Sequence, residues 1–168
     1  MAVLAGDIDF HLSGGAANAD PNVSLGGAIS NNQIPDGGLH NLFDIVSGAE
    51  SSAGDAEYRC LYVRNNSAQT LFSAYVYVNV ESPSVGSDEL IGLGSSGVNG
   101  TEQTVADEQT APAGVTFQQA NGQGNALAIG DIPAGEHMAI WVRRDISAGA
   151  SAYNNDGPTL TVGGDTAA

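Results

Sequence analysis

The sequence has very few basic residues and no lysine. Its 168 residues include 19 Asp and Glu but only 4 Lys and Arg, which gives a formal net charge of −15 at pH 7. Proteins that bind a nucleic-acid backbone do so with clusters of Lys and Arg, and binding to an anionic membrane surface needs similar clusters. The composition therefore argues against a nucleic-acid partner and against a membrane partner.

Cysteine and long apolar segments are also scarce. Cys60 is the only cysteine, so a disulfide within the chain is impossible, and no apolar run approaches the roughly 18 residues of a membrane-spanning helix. The first seven residues have neither the basic start nor the apolar run of a signal peptide. With 42% hydrophobic residues, we expect one globular domain over residues 1–168, made in a cytoplasm.

What the sequence does contain is short apolar pieces between turns rich in Gly, Asn, Ser, Asp and Pro. The clearest piece, Leu71–Val80, alternates strictly and predicts a strand with its even-numbered residues, from Phe72 to Val80, on the core face. Seven further strands are predicted over residues 7–12, 58–64, 89–93, 115–118, 126–129, 137–144 and 159–162. This pattern predicts an all-β fold, an antiparallel β-sandwich of the immunoglobulin-like or jelly-roll type.

Little of the remaining sequence is periodic. One short helix is predicted over residues 39–46, where Leu39, Leu42, Phe43 and Val46 follow helical spacing. Residues 13–38 and 94–113 are predicted to be long loops, and the Gly- and Asn-rich residues 1–38 are a candidate for an extended N-terminal arm.

Residues that carry chemistry are few and scattered. His11, His40 and His137 fall in three different predicted elements, and Cys60 lies between Tyr58 and Tyr62 on an alternating strand, which favours a core position. The G-x-G-x-x-G pattern at residues 92–97 is followed by a loop, whereas a nucleotide site of this type needs a helix there. We therefore predict no enzymatic activity, no cofactor and no tightly bound metal. A calcium ion held loosely by Asp107 and Glu108 is left as an alternative.

The arginines are the best-placed charges for contacts with a partner. Arg59 and Arg64 lie on one predicted strand and Arg143 and Arg144 on another, where they should project in opposite directions. Together with Trp141 they are the candidate interface residues, because Arg and Trp are typical of protein interfaces. The alternative is that the arginines pair within the chain and that a second layer covers Trp141.

Eight segments of the sequence carry a resemblance to known proteins: FHLSGG (10–15), SLGG (24–27), NLFD (41–44), EYRCLYVRN (57–65), TAPAGVTF (110–117), IPAG (132–135), WVRR (141–144) and AGASAYNND (148–156). Together they resemble small structural proteins of the virions of tailed bacteriophages and prophages. They are spread over nearly the whole chain, and no active-site motif of that group is among them.

This resemblance implies a non-enzymatic virion protein, most like the capsid decoration (cement) proteins that dock on an assembled head. The implied partners are the major capsid protein or other virion subunits, in a homo-oligomeric arrangement, with synthesis in the host cytoplasm. A tail or baseplate component is an alternative within the same group. A carbohydrate-binding or adhesin-like β-sandwich is the alternative from another class.

Overall fold

The chain folds into two antiparallel β-sheets in the computed structural model, which describes residues 2–151 and 157–166. The strands of the described residues are β1 (Ile8–Leu12), β2 (Asp55–Asn65), β3 (Leu71–Val80), β4 (Ser87–Leu93), β5 (Phe117–Gln118), β6 (Leu127–Ile132), β7 (His137–Ile146) and β8 (Thr159–Thr166). One sheet has the order β1-β2-β7-β4-β5 and the other the order β6-β3-β8. The predicted all-β sandwich is confirmed.

The core between the sheets follows from the alternation in the strands. Leu61 and Val63 of β2, with Met138, Ile140 and Val142 of β7, point from the larger sheet into this core. The smaller sheet contributes Leu71, Ala74, Val76, Val78, Leu127, Ile129 and Ile132. Since each buried aliphatic side chain contributes about 1.5–3 kcal/mol, this layer supplies most of the driving force for folding.

A bulge in β3 changes the predicted facing of that strand. Ser73 has a positive φ of 49°, and the register of β3 with both neighbours shifts there. An inserted residue reverses the alternation, so Leu71 takes the core position that the pattern assigned to Phe72. Phe72 is instead 40% exposed. Val80, which follows a second register shift at the end of the strand, is 53% exposed.

The predicted helix over residues 39–46 does not form. The single α-helix among the described residues, α1 (Gly48–Ala53), starts two residues after the end of that range, with Ser47 as its N-cap. Ser47 and Glu50 form a capping box, in which each side chain accepts a hydrogen bond from the other residue's backbone N–H. No described helix is long and apolar enough to cross a membrane.

The long loops cover the outer face of the larger sheet. There the side chains of Tyr58, Cys60, Tyr62, Ala139 and Trp141 form a second buried cluster. Ile29 from the first loop, and Val105 and Val115 from the loop before β5, pack against it. The described part of residues 1–38 is therefore not an extended arm, because β1 belongs to the sheet and the following loop folds back over it.

The same loops protect the free edge of β2. Strand β1 pairs only with residues 61–65 of β2. Over the preceding residues, the Cys60 N–H donates to Ser24 O at 2.8 Å and the Tyr58 N–H donates to Glu108 O at 2.7 Å. The edge is thus closed by backbone from two loops, which removes a surface that could pair with another chain.

Gly26 lies where these two loops touch. A substitution there tests how far the stability of the fold depends on the contact between them. Its φ is +95°, and a Cβ built there would lie 1.8 Å from Gln103 O. We expect Gly26→Ala to lower the free energy of unfolding by about 1–2 kcal/mol through the backbone conformation and by about 1–3 kcal/mol more through the clash. Urea unfolding followed by Trp141 fluorescence measures this.

Gly15→Ala is the matched control for that experiment. Gly15 has a φ of +98° but no heavy atom within 4 Å of a built Cβ, so only the backbone cost applies. Equal destabilisation by the two variants would show that the contact between the loops contributes nothing to stability.

Candidate functional site

The most unusual feature of the fold is a row of buried charges at one end of the larger sheet. The register places Glu57 of β2 and Glu89 of β4 on either side of Arg144 of β7. Glu57 is 0%, Glu89 1% and Arg144 8% exposed. Charged side chains are rarely this buried unless they are paired, so the contacts of this row decide what it can do.

Arg144 is held mainly by Glu57. Its Nε donates to Glu57 Oε2 at 2.5 Å, and its Nη2 forms an ion pair with the same carboxylate. Its Nη1 donates to the carbonyl oxygen of Asp44 at 2.9 Å, and the Asp44 carboxylate lies 3.6 Å from Nη2. The loop before α1 is thereby attached to the central strand of the sheet.

A second arginine lies beside the first. Arg59 is 0% exposed, and its Nη2 donates to Glu108 Oε2 at 2.5 Å and to Asn22 Oδ1 at 3.3 Å. The Phe43 ring contacts both guanidinium groups, with its centroid 5.3 Å from Cζ of Arg59 and 4.6 Å from Cζ of Arg144. Phe43 thus fills the space between the arginines with a cation–π contact on each.

The surroundings of Glu57 disfavour its charged form. Burial raises the pKa of Glu57 above its ordinary value and outweighs Arg144, which lowers it. Glu57 Oε1 is buried and has no hydrogen-bond partner among the described residues.

Two overlapping groups of carboxylates share Glu57. One consists of Asp44, Glu57 and Glu108, and the other of Glu50, Asp55 and Glu57. In each group, one carboxylate oxygen from every residue lies within 4.8 Å of one oxygen from each of the other two. In the first group both other carboxylates contact arginines. In the second group, only Glu57 has an arginine partner in the described structure.

A cavity of about 690 Å³ opens next to the charged row. Arg144 and Glu89 contribute to its lining, and Leu42, Val142 and Ile146 are among its apolar lining residues. Leu39 and Ile45 also border the cavity and are 53% and 71% exposed. The end of the sandwich therefore combines an apolar opening with a charged floor.

The structure places most of the predicted interface residues inside the protein. Arg59 and Trp141 are each 0% exposed and Arg144 is 8% exposed, so the expectation that they form an accessible docking surface is wrong for this chain. The loops over the outer face bury Trp141, while Arg59 and Arg144 pair within the chain. The predicted opposite facing of Arg143 and Arg144 is correct.

Arg143 and Arg64 are the less buried arginines. Arg143 has a side chain that is 33% exposed, donates from Nε to Asp145 Oδ1 at 2.6 Å and lies 5.9 Å from the centroid of the Tyr58 ring. Arg64 is partly buried at the other end of β2, opposite His137 in the register. The two arginines therefore belong to different ends of the sheet.

His11, His137 and Cys60 have packing contacts, whereas His40 is exposed. His11 is buried with Nδ1 3.0 Å from Ser30 O, and the His137 ring meets the edge of the Tyr62 ring at a centroid distance of 5.0 Å. His40 lies in the loop before α1, with a φ of 58°. Cys60 is fully buried, and burial raises the pKa of its thiol, which disfavours the reactive thiolate.

Sequence reasoning did not find the acidic half of this site. Glu57, Glu89 and Asp44 come from separate segments, and the alternating pattern assigns charged residues to a solvent face. The register of β2, β4 and β7 places Glu57 and Glu89 on either side of Arg144, and the loop before α1 brings Asp44 to the same arginine. A hint was available in the sequence, since Glu57 and Arg59 share a face with Leu61 and Val63.

A double-mutant cycle tests whether the Glu57–Arg144 pair is maintained by mutual compensation. We expect Arg144→Met to cost about 3–5 kcal/mol of unfolding free energy, because it leaves Glu57 as an uncompensated buried charge. Glu57→Leu with Arg144→Met should recover much of that loss. Urea unfolding of the four proteins measures the coupling, and additive effects would contradict it.

No protein-family model, curated protein or solved structure matches this chain. The geometry of the site and the resemblance of the sequence segments are therefore the grounds for a functional proposal.

Proposed function

We propose that the protein is a non-enzymatic structural component of a tailed-bacteriophage virion, most like a capsid decoration protein that docks on the assembled head. The resemblance of the segments from 10–15 to 148–156 suggests the class. The buried, packing roles of Cys60 and His11 agree with a protein that acts by binding. The observation that carries the proposal is the apolar end of the sandwich.

Four of the eight large apolar side chains that are exposed among the described residues lie at this end, in two neighbouring segments. Leu39 and Ile45 precede α1, Val80 is the last residue of β3, and Val85 lies in the connection from β3 to β4; the two valines are 53% and 104% exposed. Ser84 and Gly86 of that connection line the same cavity as Leu39 and Ile45. Apolar residues grouped in this way are typical of a surface that another protein covers.

Charge indicates what kind of partner would fit. The chain carries a net charge of −15, so a partner surface approaches readily only if it is basic or neutral. We propose that a virion subunit inserts apolar side chains between the two loops and places basic residues near the exposed Asp44. Long-range attraction then brings the partner near, and apolar contact holds it.

Substitution of single apolar side chains tests the proposed surface. Ile45→Asp and Val85→Asp should each weaken retention on heads purified without the protein by about tenfold or more, because a docked aliphatic side chain contributes about 1.5–3 kcal/mol. Co-sedimentation with heads and, separately, with tails measures retention and distinguishes a head protein from a tail or baseplate protein.

Val23→Asp and Val98→Asp are the controls for that experiment. These valines are 51% and 45% exposed and lie on the loops that cover the larger sheet. All four variants should keep the unfolding midpoint of the parent protein. Retention that is unchanged in Ile45→Asp and Val85→Asp would refute this docking surface, and absence of binding to heads and tails would refute the virion proposal.

The carbohydrate-binding alternative is favoured by a different surface. On the outer face of the smaller sheet, Tyr75 stacks with Tyr77 at a centroid distance of 6.2 Å, and a Cβ on Gly163 would lie 2.4 Å from the Tyr75 ring. A flat aromatic pair beside a glycine suits stacking with a sugar ring. Polysaccharide binding that Tyr77→Ala abolishes, with no binding to virion parts, would support this alternative.

A further inference from the structure

The group formed by Glu50, Asp55 and Glu57 has the arrangement of a cation site. Glu50 lies in the first turn of α1, and Asp55 and Glu57 lie at the start of β2, so Gly54 between the two elements brings the three carboxylates together. One oxygen from each lies within 4.8 Å of the other two. Two oxygens that are each about 2.4 Å from one calcium ion can be at most about 4.8 Å apart.

Glu57 supplies an independent indication that a ligand belongs there. Its side chain is 0% exposed, and Oε2 is paired with Arg144. Its other oxygen, Oε1, has no hydrogen-bond partner in the described structure. Leaving such an oxygen unpartnered costs free energy, and a cation shared with Glu50 and Asp55 would provide the missing contact.

The partners of Glu50 and Asp55 leave room for that contact. Glu50 Oε2 accepts a hydrogen bond from the Ser47 N–H at 2.5 Å. Asp55 Oδ1 accepts one from the Ala56 N–H at 2.8 Å, and Asp55 Oδ2 accepts a longer one from Gln109 Nε2 at 3.3 Å, which leaves a lone pair on each oxygen. These bonds hold the two carboxylates in place. Both residues are partly exposed, so water can complete the coordination sphere.

We propose that Glu50, Asp55 and Glu57 bind one calcium ion. The donor set is all oxygen, which suits a hard cation, whereas zinc sites in proteins usually include His or Cys. Calcium tolerates an irregular set of carboxylate and water ligands, whereas magnesium demands a near-ideal octahedron. The ion ties α1 to β2 and offsets the negative charge around the row, and this inference stands apart from the virion proposal.

Titration of the whole protein with calcium tests the proposal. After removal of metals with EDTA, isothermal titration calorimetry should show one calcium ion bound per chain with a Kd on the order of 10⁻⁴ M, which is typical of weak calcium sites. In 10 mM calcium chloride the unfolding midpoint should rise by about 5 °C or more. Magnesium chloride at the same concentration should give a clearly smaller rise.

Variants locate the ion. Glu50→Gln and Asp55→Asn should each weaken calcium binding about tenfold or more, and because both residues are partly exposed they should fold without calcium. Asp44→Asn removes a carboxylate of the neighbouring group. Asp107→Asn removes a carboxylate of the Asp107–Glu108 pair, where the sequence suggested a loosely held calcium ion as an alternative. Both controls should bind calcium as the parent does.

Three outcomes would overturn the proposal. The first is absence of calcium binding, which means that the Glu57 oxygen is satisfied by a proton or by water. The second is an equal rise of the midpoint with magnesium, or with sodium chloride at matched ionic strength, which means general screening of the negative charge. The third is loss of binding in Asp44→Asn or Asp107→Asn but not in Asp55→Asn.

Discussion

The burial of β2 and β7 on both faces is the constraint on which the structure depends. On one face the smaller sheet covers them, and on the other face the loops before β2 and β5 cover them. Where both faces of a strand are covered, a polar side chain cannot reach water, so a charge there must find a partner within the protein. The ion pairs of Arg59 and Arg144 follow from this requirement.

The same constraint explains why the long loops are ordered parts of the domain. A loop that covers aromatic side chains has to satisfy its own backbone groups. The two loops do this through backbone hydrogen bonds with each other and with the free edge of β2. The bond from the Gly27 N–H to Glu102 O is one that joins the two loops. The carboxylate of Glu102 is buried in this layer; burial by itself raises its pKa, but hydrogen bonds from Ser95 and Ser96 more than offset this, and the pKa lies below its ordinary value.

The two ends of the sandwich differ in chemistry as a result. At one end, the loop before α1 seals the buried charges with Phe43 and leaves Leu39 and Ile45 at the surface. At the other end of β2, the partly buried Arg64 lies opposite His137. A partner that uses apolar contact therefore has a natural place at the first end, which is why the docking proposal and the calcium proposal concern neighbouring parts of the molecule.

The sequence by itself determined the all-β class and the approximate position of every strand, because alternation and turn residues act over short distances. It also determined that Arg143 and Arg144 point apart. Tertiary structure alone decided that Leu71 replaces Phe72 in the core, since a bulge at one residue with positive φ reverses the alternation. It alone decided that Arg144 lies between Glu57 and Glu89, since strand register joins residues that are far apart in the chain, and no local pattern encodes that register.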